Sequence, residues 1–317
     1  MIRQYHLFFI TILFVFVLGV KPASALLISD PLIEFSLVPG EEIKKIIKIT
    51  NDTKDQITIR PTTNNFTAKD ENGGAKFTDE KEGLASWIQI DPSLVTLNPG
   101  EREEKEFSIL VPEDATPGSH YAAIFWESSA SPIEGGASLV SKTGHLILLR
   151  VAGQVIEDGK IVQFGLVKDK KMFSSLPIDF LIRFENLGTV HLKPYGQIQI
   201  KNIFGQQSGL VEVNTITRKN VLTKSIRRLE ESWQDYPTIT NGLLAGLRNE
   251  INNFGFGFYT ASVSLVFGSE NKQVSTQTSF WIIPWRLIIL TLVLLIVFSF
   301  LLKMYNRFII KRAMEKK

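Results

Sequence analysis

From residue 30 onward, apolar side chains recur at every second position in short runs broken by Gly, Pro and Asn. Ile33, Phe35 and Leu37 alternate with polar neighbours and end at the turn Pro39-Gly40-Glu41. Ile43, Lys45, Ile47 and Ile49 then share one face, with Glu42, Lys44, Ile46 and Lys48 on the other, until Asn51-Asp52 stops the run. A period of two with many β-branched residues predicts half-buried strands. Residues 56–61 read as a further short strand. The polar stretch 62–83, with Asn72-Gly73-Gly74 as a tight reversal, reads as a hairpin or surface loop. The first arrangement then repeats: a strand over 94–97, the turn Asn98-Pro99-Gly100-Glu101, and a strand over 104–111 with Phe107, Ile109 and Val111 on one side. Proline presets the second turn position and glycine supplies positive φ at the third, so both turns reverse the chain between antiparallel neighbours. Residues 120–126 form an apolar strand in which Tyr121 follows the turn Pro117-Gly118, as in the tyrosine corner of immunoglobulin-like sandwiches. A loop of small residues over 128–136 and an apolar strand over 145–153 complete this half.

The second half carries the same signals. Ile161-Val162-Gln163-Phe164, residues 178–185 ending at Asn186-Leu187-Gly188, and residues 196–203 read as strands. Gly257-Phe258-Tyr259-Thr260-Ala261 opens another and parallels Gly118-Ser119-His120-Tyr121-Ala122, a weak internal repeat. Residues 273–283 are the last strand. Residues 220–233 read as a strand after a turn, although Ile226, Leu229 and Trp233 also match helical spacing. Residues 243–251 read as a short helix in an insertion, either a binding loop or a cap over the sandwich end.

One stretch follows neither pattern. From Trp281 to Leu302 the chain is apolar, uncharged after Arg286, and followed by six basic residues, Lys303, Arg307, Lys311, Arg312, Lys316 and Lys317, against the single acid Glu315. A bilayer core of about 30 Å takes about 20 helical residues. The uncharged run 287–302 is short of that, and counting back to Trp281 supplies the missing turn. Pro284 then falls in the first turn and Arg286 lies shallow enough to reach the headgroups. The basic tail places the C-terminus in the cytoplasm. At the other end, Arg3, an apolar run from Leu7 to Val20 and the small-x-small site Ala23-Ser24-Ala25 predict a signal peptide, with an uncleaved anchor as the alternative. The expected organisation is a signal peptide over 1–25 and immunoglobulin-like β-sandwiches over 26–155 and 156–280. A transmembrane helix over 281–302 and a basic cytoplasmic tail over 303–317 follow. The fold class is all-β with a single membrane helix, and the location is the cell membrane, single-pass type I, ectodomain outside.

Composition changes this picture in three ways. The formal charge of +3 is concentrated at the two ends, which leaves a mildly acidic exterior that does not attract nucleic acid. There is no cysteine, so an exported ectodomain must be held by cores and sheets alone, a usage that points to a bacterial surface. In that setting Asn51-Asp52-Thr53 and Asn65-Phe66-Thr67, which match the glycosylation sequon, are turn and loop residues. The four histidines His6, His120, His145 and His191 are scattered, and none has a second histidine at metal-ligand spacing. No G-x-S-x-G elbow or glycine-rich phosphate loop is present, so no catalytic, cofactor-binding or metal residue is singled out and no cofactor is expected. The charge-rich run Glu101–Glu106 alternates with a core-facing strand and reads as a solvated sheet face.

Several residues in the first half together carry a resemblance: Pro39-Gly40, Ile47-Lys48-Ile49-Thr50-Asn51, Thr63-Asn64, Asn72-Gly73, Leu97-Asn98-Pro99-Gly100, Val111-Pro112 and Gly135-Gly136. With the signal peptide, membrane helix and basic tail, the chain resembles the WxL-interacting proteins of bacterial surfaces. That resemblance implies a peptidoglycan-binding first module and a host-binding second one, and carries no binding residue onto this chain. The second half, with Glu185-Asn186-Leu187-Gly188 and Lys193-Pro194, is similar to a generic bacterial immunoglobulin-like module. The function expected is a non-enzymatic, membrane-anchored surface protein that binds cell-wall polymer or other surface proteins. The alternative is a chaperone-like or assembly subunit acting by strand pairing, since the first module is also similar to pilus-chaperone sandwiches. A surface hydrolase with dispersed carboxylates is a third class.

Overall fold

A computed structural model of the 317-residue chain describes residues 26–80, 82–128, 142–234, 236–242 and 244–314. The expected signal peptide and all but Ser128 of the loop 128–136 lie outside those residues. Contacts divide the chain into two compact units. One takes the residues up to Phe66 with Phe77–Thr116 and His120–Ala152; the other takes Thr67–Lys76, Pro117–Ser119 and everything from Gly153.

The first unit is a β-sandwich. One sheet has the order β1 (Leu26–Ile28), β3 (Glu42–Asn51), β8 (Arg102–Leu110), β6 (Ile88–Ile90), all antiparallel. The other runs β2 (Leu32–Leu37), β10 (Lys142–Val151), β9 (Gly118–Ser128), β4 (Ile57–Ala68), β5 (Ala75–Thr78), with β7 (Val95–Leu97) also paired to β4. β1 and β2 are one stretch of chain that leaves the first sheet for the second around Asp30, a residue at φ 37°. β2 then lies parallel on β10. The alternation in β3 places Ile47 and Ile49 at full burial against Phe107, Ile109, Trp126 and Leu149. Each such side chain contributes about 1.5–3 kcal/mol relative to exposure.

Of the two readings of the polar stretch 62–83 the hairpin is the one present: β4 and β5 are neighbours in the sheet on either side of the reversal at Gly73. β4 continues through Pro61 to Ala68 because its backbone pairs with the apolar β9, Thr62 opposite Phe125 and Asn64 opposite Ala123. Lys69 N–H then bonds Gly74 O, and Gly73 takes φ 92° at the reversal into β5. A one-turn helix, α1 (Leu84–Trp87), and the strand β6 follow, both unforeseen in the sequence. The Asn65 side chain fastens them, accepting the Ala85 N–H and donating to Glu80 O.

The second unit is also a sandwich. A three-stranded sheet β11 (Gly159–Leu166), β13 (Ile178–Asn186), β16 (Ile226–Trp233) accompanies a five-stranded sheet β12 (Met172–Phe173), β18 (Lys272–Ile282), β17 (Gly257–Phe267), β14 (Tyr195–Asn202), β15 (Gln207–Val213). β13 shows the strictest period: Ile178, Phe180, Ile182 and Phe184 are all fully buried. Phe280 joins them to the facing sheet, stacked on Tyr259 and edge-on to Phe180. Residues 226–233 are strand, and the helical spacing of Ile226, Leu229 and Trp233 is coincidental. β15 is not legible because both faces are mixed: Gln207 and Gly209 precede Val211 and Val213 on one, and Leu210 stands between Ser208 and Glu212 on the other.

Two elements follow the sandwich strands of this unit. α2 (Ala245–Asn252) occupies the insertion; Leu243, expected to start it, lies outside the described residues. α3 (Trp285–Met314) is 30 residues long. Its stretch Trp285–Ile310 is the one described helix long and apolar enough to cross a membrane, with none of that span buried. The expected span 281–302 is corrected at both ends. Trp281 and Ile282 belong to β18: Trp281 N–H bonds Lys171 O, Ile283 N–H bonds Phe173 O, and Trp281 pairs with Phe258. Pro284 disfavours helical geometry at Ile283, so the helix begins just beyond it. At the other end it continues through Lys303 and Arg307, because nothing in the tail breaks a helix. The 26-residue span measures about 39 Å.

Candidate interaction surfaces

Among the described residues no group of three His, Asp or Glu side chains is placed to hold a metal ion. His120 meets the Thr116 carbonyl at 2.9 Å and His191 meets the Ser119 hydroxyl at 2.7 Å. His145 is fully buried, and its Nδ1 donates to Asp30 O at 3.0 Å. The Glu101–Glu106 run is a sheet face, as its alternation predicts. Glu104 pairs with Lys48 at 2.6 Å and Glu106 with Lys44 at 3.9 Å across to β3. The Lys48 ammonium holds the Glu104 carboxyl below its usual range.

The edge of this sheet is incomplete. Asn51 N–H bonds Glu101 O and Val111 N–H bonds Glu41 O, while Ser29 N–H bonds Lys48 O on the other side of β3. The odd-numbered residues of β8 therefore bond to β3, and the even-numbered ones face the opposite edge. There Ser108 is matched by Gln89, but β6 ends at Ile90, opposite Phe107. The backbone groups of Arg102 and Glu104 point outward beyond the end of β6, with no described strand against them.

Where β6 still covers β8 lies an open groove of about 530 Å³, lined by Lys44, Gln89, Asp91, Glu106 and Ser108 among others; Arg102 and Glu104 lie outside it. Lys105 reaches Asp91 at 2.7 Å and, with the Ser93 hydroxyl and amide, holds the Asp91 carboxyl well below the ordinary carboxylate range. Lys44 and Glu106 stand together in its lining, so that lining alternates in charge. An open strand edge presents unpaired backbone N–H and C=O groups to which an extended backbone can hydrogen-bond. No sequence signal marks it, because the open edge exists only where β6 stops short.

No family model matches the chain, and no curated protein matches it in sequence. Solved structures with a similar arrangement include the class 5 fimbriae chaperone CfaA, at 12% identity and TM-score 0.39, covering 81% of this chain and 99% of that one. The Salmonella enterica SafB chaperone, solved with the SafA pilin, has 9% identity and TM-score 0.37, covering 83% and 99%. The E. coli chaperone DraB has 10% identity and TM-score 0.34, covering 82% and 97%.

Proposed function

We propose that this protein is a membrane-anchored, non-enzymatic protein of the cell exterior that holds an extended segment of another exported protein by strand addition. In this reading α3 crosses the membrane with the C-terminus in the cytoplasm, and both sandwiches lie outside. The observation that carries it is the exposed edge of β8 at Arg102 and Glu104, beyond the point where β6 ends. Main-chain hydrogen bonds to such an edge supply affinity, and side-chain pockets at alternate positions supply selectivity. The acidic run of β8 selects a segment with basic residues on one face. Strand addition is the reading that an open strand edge favours. The anchor is supported by the length and apolarity of Trp285–Ile310 and by the basic residues that follow it.

Proline tests the edge, since it removes one outward N–H yet is tolerated on a strand edge that faces solvent. Full-length protein carrying Glu104→Pro is compared with Glu104→Gln, which loses the Lys48 ion pair but keeps the N–H. Co-exported proteins cross-linked to the chain in intact cells are recovered with the Gln variant and lost with the Pro variant. Equal recovery from both, at equal urea midpoints, would remove the edge as the binding site.

A further inference from the structure

We infer that the insertion 236–256, together with Trp281 and Trp285, is a foot that seats the second unit on the outer surface of an anionic phospholipid bilayer. The inference rests on reading α3 as the membrane anchor and adds a second, lateral attachment beside it.

The placement comes from Glu250. This carboxylate is fully buried; one oxygen accepts Arg286 Nη1 at 3.1 Å and the other accepts the Leu287 N–H at 2.8 Å. It therefore satisfies one of the open amides in the first turn of α3 and sets a negative charge at the positive end of the helix dipole. A Cβ on Gly246 would lie 2.7 Å from the Arg286 guanidinium carbon, and one on Gly255 would lie 2.8 Å from Ile282. α2 and the turn behind it are thus fixed at the height where α3 begins.

At that height large apolar groups face outward. Tyr236, Leu244, Ile251, Phe254 and Phe256 are exposed, Phe254 by 60% and Phe256 by 63%, and Trp281 and Trp285 join them. They are not on a slack loop. Asn249 bonds Ile239 at both N–H and C=O; Asn253 accepts the Tyr236 N–H on its side chain and the Leu176 N–H on its carbonyl. A scaffold that holds aromatic rings into water marks an interaction site. Aromatic rings ranged around the start of a membrane span match the belt at a bilayer interface.

Charge completes the match. Lys170, Lys171 and Arg248 are exposed, Lys171 being hydrogen-bonded through its carbonyl to Trp281, while Glu250 is withdrawn into its ion pair; of the acids near these residues in sequence, Asp169 is exposed and Asp235 precedes Tyr236. Basic side chains beside interfacial aromatics are drawn to anionic headgroups. A protein partner would need no alignment with the point where the span begins.

The chain has no cysteine, so single substitutions carry a spin label cleanly. Full-length protein with a label at Phe254→Cys, Phe256→Cys, Leu294→Cys or Glu270→Cys is placed in vesicles of phosphatidylglycerol and phosphatidylethanolamine. Collision with dissolved oxygen and with a water-soluble nickel chelate is read for each. The labels at 254 and 256 are expected to be shielded from nickel several-fold relative to 270 while gaining oxygen, a signature of immersion in lipid. Labels at 254 and 256 as open to nickel as 270, with 294 in the hydrocarbon, overturn the foot and leave the anchor. A label at 294 open to water overturns both. Shielding from nickel and oxygen alike, growing with protein concentration, means a protein contact and also overturns the inference.

Discussion

Asn51 and Asn186 make the same three side-chain hydrogen bonds, each within its own sandwich. In both, Oδ1 accepts the N–H two residues on, from Thr53 and from Gly188. In both, Nδ2 donates to the carbonyl four residues on, Asp55 and Val190, and to a distant one, Leu97 and Val221. The backbone agrees: Asn51 N–H bonds Glu101 O and Asn186 N–H bonds Ser225 O, each four residues past that distant carbonyl. Each asparagine is fully buried and closes a central strand, β3 or β13. The two units therefore repeat one corner, and the correspondence extends to the start of β9 and β17, at Gly118 and Gly257, both with positive φ.

Asn51→Ala removes the side-chain partner of Leu97 O and of the Thr53 N–H, and Asn186→Ala that of Val190 O and of the Gly188 N–H, while Asp55 O keeps the Thr53 hydroxyl and Val221 O keeps the Leu192 N–H. At about 1–3 kcal/mol for each buried group left open, discounted for water entry, each substitution is expected to cost about 3 kcal/mol. Urea unfolding followed by tryptophan fluorescence measures it. A loss below about 1 kcal/mol at both sites would mean that the corner is ornamental.

The repeat also aligns Gly100 with Lys224, at φ 76° and φ 55°. A lysine there carries the left-handed strain that glycine avoids. Lys224→Gly is expected to stabilise the protein by about 0.5–1 kcal/mol, and Gly100→Ala, where a Cβ meets nothing within 4 Å, to destabilise it by about 1 kcal/mol. Opposite shifts of the urea midpoint check both.

Burial pushes the His145 imidazole below its ordinary range, against the opposing effect of its bond to the Asp30 carbonyl, and the buried Nε2 has no partner for a second proton. In the unfolded chain the ring takes up a proton near pH 6.5. Stability is therefore complete above that value and declines as pH falls through it toward the depressed folded value. His145→Gln is expected to flatten the urea midpoint between pH 7 and 5, and an unchanged slope would contradict the assignment.

Glu127 gives a second acid-sensitive element. Lys142 at 2.6 Å, then Thr62 and Arg60, hold its carboxyl below the usual glutamate value. The sign is that of a depressed carboxylate: its stabilisation is present above the unfolded value and is lost as pH falls through the folded one. Glu127→Gln is expected to lower stability at pH 7 and to narrow its difference from the parent chain toward pH 3, as read by urea midpoints.

Much of this architecture is written in local periodicity. The alternation of Ile43–Ile49 and of Ile178–Phe184 gives strands, side and burial, because one buried face forces every second residue inward. What escapes is set by distant partners. Polar β4 is a strand because β9 lies beside it, and Trp281 is held in β18 by Phe258 and by the Lys171 carbonyl although its composition suits a membrane helix. The open edge of β8 has no signature of its own, since it depends on where β6 ends. Glu250 reads as one more helix acid until α2 is set against Arg286.

The central claim, a pair of exterior sandwiches on a membrane-crossing helix, is tested most directly by cysteine labelling in intact cells with a membrane-impermeant maleimide. Glu270→Cys is expected to react at once, and Met314→Cys only after the membrane is opened. Equal reaction of the two before the membrane is opened, or protection of both, would contradict the account.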